Sequence, residues 1–441
     1  GTNDWAEHTT SLALTPGVTR LKVGAFLSVP GRLYVDDMRL ERLTPPAPAI
    51  DAPRAERWAQ DLDYLGELVE FGHPDPWAHL SRADFRAGLA GIAAAAARPD
   101  GPDDTALAWQ LRALTCRLGD PHTATELPEG GLVRLPLSLR FFGSEVRVVA
   151  GPPALASLVG GRLSAIDGHP VADVLAAIDP QIARTHENWF REQAPSWLIN
   201  VGALHQLGMA RLPDALTFTV VHDDGTERTA TASLATPTDG EWVVAGPPEG
   251  QRPLSRRRGG SYWFEYLPDS RTLYFKYDQA RDDPERPLRQ FGVALFEALN
   301  ANPIDRFVLD VRHNSGGQNQ INGVFRDLAA RLTDGRVGQA FVIVGRRTFS
   351  AAVYDADAMR TLCGAVVVGE PTGMAPVHPG QVGVFTLPGT GIGYATSTKI
   401  VRASRDTSPA LMPDIPAEVS WADFLAGRDP LLEAVLAYEL K

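Results

Sequence analysis

Cysteine is nearly missing from this chain, with only Cys116 and Cys363 in 441 residues. Two cysteines exclude a disulfide scaffold and a cysteine-based metal site. One lies on a helical pattern and one just before an apolar strand, so both read as buried free thiols. Long apolar runs are missing as well, and no stretch has the length a bilayer-spanning helix needs. Basic clusters are scarce: the net charge is −11, and the short run Arg256-Arg257-Arg258 reads as a solvated loop, so nothing points to nucleic acid. No signal peptide opens the chain. What is present, 44% hydrophobic and 22% charged residues, is the composition of a globular protein, and the length calls for roughly two to four domains.

Residues 1–44 are strand-like and rich in turns. The run Gly31 to Leu40 resembles the last strand of jelly-roll carbohydrate-binding-type modules. Too few strands precede it to close a sandwich, so a remnant of a module continued upstream is expected. It either packs on the next domain or offers a carbohydrate contact. Thr44-Pro45-Pro46-Ala47-Pro48 reads as a linker. Residues 51–125 follow a helical pattern with Trp58, Leu62, Leu65 and Val69 on one face. His73 and His79 there have no convergent carboxylate at ligand spacing and read as packing or capping residues. Residues 126–235 are mostly β, with helices expected over 171–178 and 188–206, and Gly160 to Val171 looks like the turn and strand of a PDZ-like module. From 260 to 441, strands alternate with helices, which argues for an α/β core.

Within that last region, Phe341 to Gly373 reads as a buried strand, a turn carrying Ser350, a helix, a second strand and a Gly-Glu-Pro-Thr-Gly loop. A serine between strand and helix is either a helix N-cap or a nucleophile whose attack creates an oxyanion beside the first N–H groups of the helix. Upstream, the strand ending at Asp310 runs into Arg312, Asn314, Gly316 and Gly317. Glycines in such a turn let backbone N–H groups face a ligand.

Together these stretches resemble the serine-peptidase superfamily of C-terminal processing peptidases, tricorn core protease and interphotoreceptor retinoid-binding protein. The matching residues are Asp310, Arg312, Asn314, Gly316 and Gly317, then Thr348, Ser350 and Ala351, then Val368, Gly369, Glu370, Thr372 and Gly373. The similarity runs from about Trp58 to the C-terminus. It implies a ClpP/crotonase-like catalytic domain of stacked ββα units over 260–441, behind a PDZ-like domain over 126–235 and a helical domain over 51–125.

That superfamily uses either a Ser-Lys dyad or a Ser-His arrangement. The dyad's lysine position falls on Ala375, and Lys399 is too far along the chain to be its simple replacement. The resemblance therefore implies the His-using, tricorn-like branch, in which His122, within Asp120-Pro121-His122-Thr123, is the general base for Ser350. The oxyanion would be held by N–H groups of Gly316 or Gly317 and Ala351. Asp406 is the first choice as the acid that orients His122 and Asp120 the second; Glu370 and Asn314 are expected to support the loops. The implied activity is a serine peptidase acting on peptide or protein substrates without metal or organic cofactor, in an extracytoplasmic or secreted setting. An esterase or amidase of small acyl substrates, and an inactive binder of apolar ligands, are the alternatives.

Overall fold

The computed structural model of the chain describes residues 51–128, 131–257, 259–318 and 322–440. The expected sandwich remnant and its linker lie outside the described residues. Helices come first: α1 (Arg54–Glu67), α2 (Arg82–Ala97) and α3 (Asp104–Cys116). Ser81 and Asp103 cap the last two by accepting from the N–H groups of Asp84 and Ala106. Trp58, Leu62, Leu65, Phe85, Leu89 and Leu111 close an apolar core that Leu387 and Tyr394, from the far end of the chain, complete. A π-helical turn, Leu68–Gly72, ends α1 and leads into His73, which is buried.

The strand β1 (Ala124–Thr125) precedes a β-rich region. This contains β2 (Ser138–Phe142), β3 (Glu145–Gly151), β4 (Arg162–Ile166), β5 (His169–Pro170), α4 (Val171–Ile178), α5 (Glu187–Leu198), α6 (Val201–Gln206), β6 (Ala215–Val221), β7 (Glu227–Ser233) and β8 (Val243–Val244). The sheet is antiparallel, ordered β2-β3-β4-β6-β7, with β5 on β4 and β8 on β3. Leu216, Phe218 and Val220 alternate inward along β6, the period a one-sided sheet requires. The helix expected over 188–206 is broken at Asn200, whose side chain accepts from Val133 and Ala203 N–H and donates to the Gly131 carbonyl.

The remaining elements are β9 (Tyr262–Leu267), β10 (Thr272–Tyr277), α7 (Leu288–Ala301), β11 (Ile304–Asp310), α8 (Asn322–Thr333), β12 (Val337–Val344), α9 (Ala351–Cys363), β13 (Val366–Gly369), β14 (His378–Thr386), β15 (Gly393–Val401), β16 (Ile415–Pro416), α10 (Trp421–Ala426) and α11 (Pro430–Leu436). A six-stranded sheet, ordered β16-β13-β12-β11-β10-β9, is parallel except at β9. Its strands are predominantly apolar, as both faces are covered, with Lys276 and Asp310 as buried charged exceptions. On one face Phe275, Phe307, Leu309, Val342 and Val344 join a core that continues into the antiparallel sheet. On the other, Tyr274, Val308, Phe341 and Ile343 meet Leu431, Leu432 and Val435 of α11. The fold is mixed α/β, and adjacent parallel strands β11 and β12 both point their C-terminal ends at one place. In open α/β sheets that edge is where ligands bind. Among the described residues no helix is long and apolar enough to cross a membrane.

Candidate active site

Ser350 joins β12 to α9 with φ 52° and ψ −124°, a left-handed conformation that a non-glycine residue rarely takes. Such a conformation costs roughly 1–3 kcal/mol and persists only where its surroundings over-determine it. Here they do. Thr348 Oγ1 accepts from Gly345 N–H at 3.0 Å and donates to the Val311 carbonyl at 2.9 Å, while Phe349 N–H donates to the Asn314 carbonyl at 3.2 Å. The Ser350 side chain makes no capping bond to α9, so the helix-cap alternative fails. Its Oγ lies instead 3.0 Å from His122 Nε2.

His122 sits in the loop between α3 and β1, ordered by its own N–H donating to Asp120 Oδ1 at 3.0 Å. Asp120 is buried and also accepts from His73 Nε2 at 3.2 Å, Thr123 Oγ1 at 2.5 Å and Ser397 Oγ at 2.6 Å. Burial opposes its charge, but the two histidines and Ser397 outweigh burial and hold the carboxyl well below the usual carboxylate range. His73 Nδ1 accepts from Asp75 N–H at 3.1 Å, so the ring proton is on Nε2 and points at Asp120. His122 Nδ1 is 3.6 Å from Asp120 Oδ1, an ion-pair distance longer than a hydrogen bond, and it has no hydrogen-bond partner. The His122 ring also meets Phe349 at 4.8 Å, and Phe349 stacks on Trp189 of α5 at 3.9 Å.

The structure corrects the first choice of orienting acid. Asp406 accepts from Ser408 N–H and Oγ at 2.9 and 2.5 Å and faces Arg360 at 3.5 Å; it is not brought to His122. Asp120, the second choice, is. The glycine loop also narrows. Gly316 has φ +92°, and a Cβ there would stand 2.8 Å from both the Phe349 carbonyl oxygen and Ser350 Cβ, so glycine lets β11 and β12 converge. Its N–H, however, donates to Asn314 Oδ1 at 2.9 Å, while Asn314 Nδ2 donates to the Tyr277 carbonyl at 3.0 Å. Among the described residues, the N–H groups of Gly317 and Ala351 donate to no protein acceptor.

The charged residues at this edge brace rather than face the opening. Asp310, fully buried, accepts from Tyr274 Oη, from Lys276 Nζ at 3.3 Å and from Arg312 Nε at 3.1 Å, and Arg312 Nη1 reaches Asp429 at 2.7 Å. Burial works against both charges, but the pairing wins, holding Asp310 low and Arg312 high. Glu370 takes Arg346 Nη2 at 2.5 Å, and Arg346 Nη1 donates to the Phe141 carbonyl at 3.3 Å, tying the loop after β13 to the antiparallel sheet. His378 is buried 6.3 Å from the His122 ring, with Nδ1 2.7 Å from the Ala375 carbonyl; burial above all, and His122 beside it, push its pKa down to about 4. Sequence reasoning missed His73 and Ser397 as partners of Asp120. Among the described residues no group of three or more His, Cys, Asp or Glu side chains is disposed to hold a metal ion.

No protein-family model matches the chain, and no curated protein matches it. Solved structures do. Mature CPAF complexed with lactacystin superposes with a TM-score of 0.64 at 14% identity, over 87% of this chain and 97% of that one. The photosystem II D1 C-terminal processing protease (TM-score 0.38, 15% identity, 83% of this chain and 93% of that one) and the tricorn protease (0.37, 11%, 87% and 36%) also match. The fold is that of mature CPAF.

Proposed function

We propose that the chain is a serine peptidase in which Ser350 is the nucleophile and His122 the general base. The observation that carries this reading is a strained, uncapped serine whose Oγ lies 3.0 Å from an imidazole nitrogen. His122 Nε2 takes the Ser350 proton as Oγ attacks a peptide carbonyl, and then returns it to the leaving amine. Asp120 faces the far side of the ring and stabilises the imidazolium. The hydrogen bond absent from Nδ1 forms as that charge develops, because catalytic bonds tighten in the loaded enzyme. The N–H groups of Gly317 and Ala351 receive the oxyanion. In this reading residues 260–441 are a ClpP/crotonase-like catalytic domain and residues 126–235 a PDZ-like module beside it, and the setting is extracytoplasmic.

The test is labelling of the full chain with a fluorophosphonate near pH 8, followed by peptide mapping. A stoichiometric adduct on Ser350 that is lost in Ser350→Ala and His122→Ala is expected. A folded protein that forms no adduct would overturn the hydrolase and favour a binder of apolar ligands.

A further inference from the structure

A cavity of about 530 Å³ opens between the loop after β1 and helix α5. Such a volume suits a ligand side chain or short peptide segment. Arg112, Arg134, Gln193, Ser196 and Trp197 contribute to its walls, and among the described residues Glu126 is the one acidic member of the lining. Arg112 is the unusual member. Its Nη1 donates to the Thr125 carbonyl, but its Nε is buried without a partner, and among the described residues no carboxylate lies within 4.0 Å of it. Its guanidinium stands 5.6 Å from the Trp197 ring centroid, so one flank is already covered. Burial depresses its pKa, outweighing the opposing influence of Cys116. A half-buried, unpaired guanidinium is stabilised by any carboxylate that enters, and its fork suits that partner in particular.

Both walls of the cavity belong to elements that also reach the Ser350 site. On α5, Trp189 stacks on Phe349, and Gln193 and Trp197 follow it one and two turns on, about 6 Å of axis per four residues. On the other side, Glu126 lies about 13 Å of extended chain beyond His122. Each wall is therefore at most about 13 Å, measured along its own chain or helix axis, from a residue that touches the Ser350–His122 pair or stacks on Phe349, a span of about four extended residues.

We infer that this cavity is a carboxylate-recognising subsite of the peptide-binding cleft, with Arg112 as its anchor. The inference rests on the peptidase reading for its substrate, but its test does not need turnover. Binding of fluorescent octapeptides to full-length Ser350→Ala protein is measured by anisotropy. One set carries a glutamate walked along an amidated neutral peptide; the other compares the neutral peptide as free acid and as amide. Carboxylate-bearing peptides are expected to bind about tenfold or more tighter than the neutral amide, the worth of one hydrogen-bonded charge. Preference at one walked position assigns the subsite to an acidic side chain, and preference confined to the free acid assigns it to the chain terminus. Arg112→Gln should erase the preference. Because Arg112 also holds Thr125, Gln193→Glu provides a second variant that fills the cavity with a competing carboxylate; it should erase the preference while neutral-peptide affinity stays within about twofold. Equal binding of acidic and neutral peptides to the parent, or equal loss for both in the two variants, would overturn the subsite. Neither outcome bears on the fluorophosphonate adduct, so the two readings fail separately.

Discussion

Ser350 and His122 meet at 3.0 Å across 228 residues of chain, and their two loops are held in different ways. Ser350 sits at the ends of two adjacent parallel strands. The buried ion network of Asp310, Lys276, Arg312 and Asp429 fixes the glycine loop after β11, and Thr348 ties the turn before Ser350 to the Val311 carbonyl. Every part of that arrangement comes from residues 276–429, and most of it from two strand ends. His122 lies on no helix or strand. One carboxylate, Asp120, is the hub of its loop; beyond the His122 N–H and Thr123 Oγ1 of the loop itself, its partners come from the turn after α1 and from β15. Ser350 is thus set by several contacts and His122 by one hub, so removing a single polar partner should cost more on the His122 side than on the Ser350 side.

The largest expected effect follows from that asymmetry. Asp120→Asn should lower kcat by about 10²–10⁴-fold, as for a triad acid made neutral, whereas Asp406→Asn, whose partners are Ser408 and Arg360, should change it by less than about threefold. Steady-state kinetics on both variants, corrected for folded fraction, decides this; equal losses would return the orienting role to Asp406. Next is Gly316→Ala, which tests whether the nucleophile side tolerates a steric change. The added methyl meets the Phe349 carbonyl and Ser350 Cβ at 2.8 Å and must assume φ +92°, so kcat should fall about a hundredfold through displacement of Ser350. Retained activity would show that the β11 and β12 ends can separate without loss. A smaller effect is expected of His73→Gln, which keeps a donor near Asp120 but loosens it. An approximately tenfold fall in kcat at unchanged KM, with a shifted pH–rate profile, would mark His73 as a positioning residue. A change in melting temperature alone would leave it a packing residue.

The same contrast explains how much was legible in the sequence. The α/β order of 260–441, the glycine loop and the strand–Ser350–helix turn are written in consecutive residues, where apolar runs and glycines carry their own physical meaning. That the Ser350 side chain does not cap α9 could be read only from the structure. His122 was legible only through resemblance, since one histidine in a loop has no local signature. The contacts of Asp120 were not legible at all. Ser397 reaches it because β1 pairs with β15 in the register Ala124↔Ala395, across a separation of 277 residues, and His73 because a π-helical turn aims it inward. Asp406 was preferred from its place along the chain, and distance along the chain says nothing about which carboxylate faces an imidazole.

The smallest effect separates the two regions by pH. His378, at the start of β14 in the antiparallel β14–β15 hairpin and beside the His122 ring, is held neutral by burial, with its pKa pushed down to about 4 from an ordinary 6.5. On acidification the unfolded chain takes up this proton first, so stability is complete above about pH 6.5, declines between 6.5 and 4, and is flat with respect to this group below 4. The loss amounts to at most about 3 kcal/mol. Asp120 has the same sense but a lower window: its carboxyl is depressed, so its contribution is complete above the ordinary value of 3.8 and falls away only below it. His313 and His186 are also depressed by burial, so urea denaturation at about pH 7 and about pH 4.5 should show a loss in the parent that is smaller, not absent, in His378→Gln, whose amide still donates to the Ala375 carbonyl. The two pH values lie above the range in which Asp120 protonates, so the difference between parent and variant reports the hairpin side alone. An identical loss in parent and variant would place the acid-sensitive group elsewhere and remove His378 from the packing that holds the His122 ring.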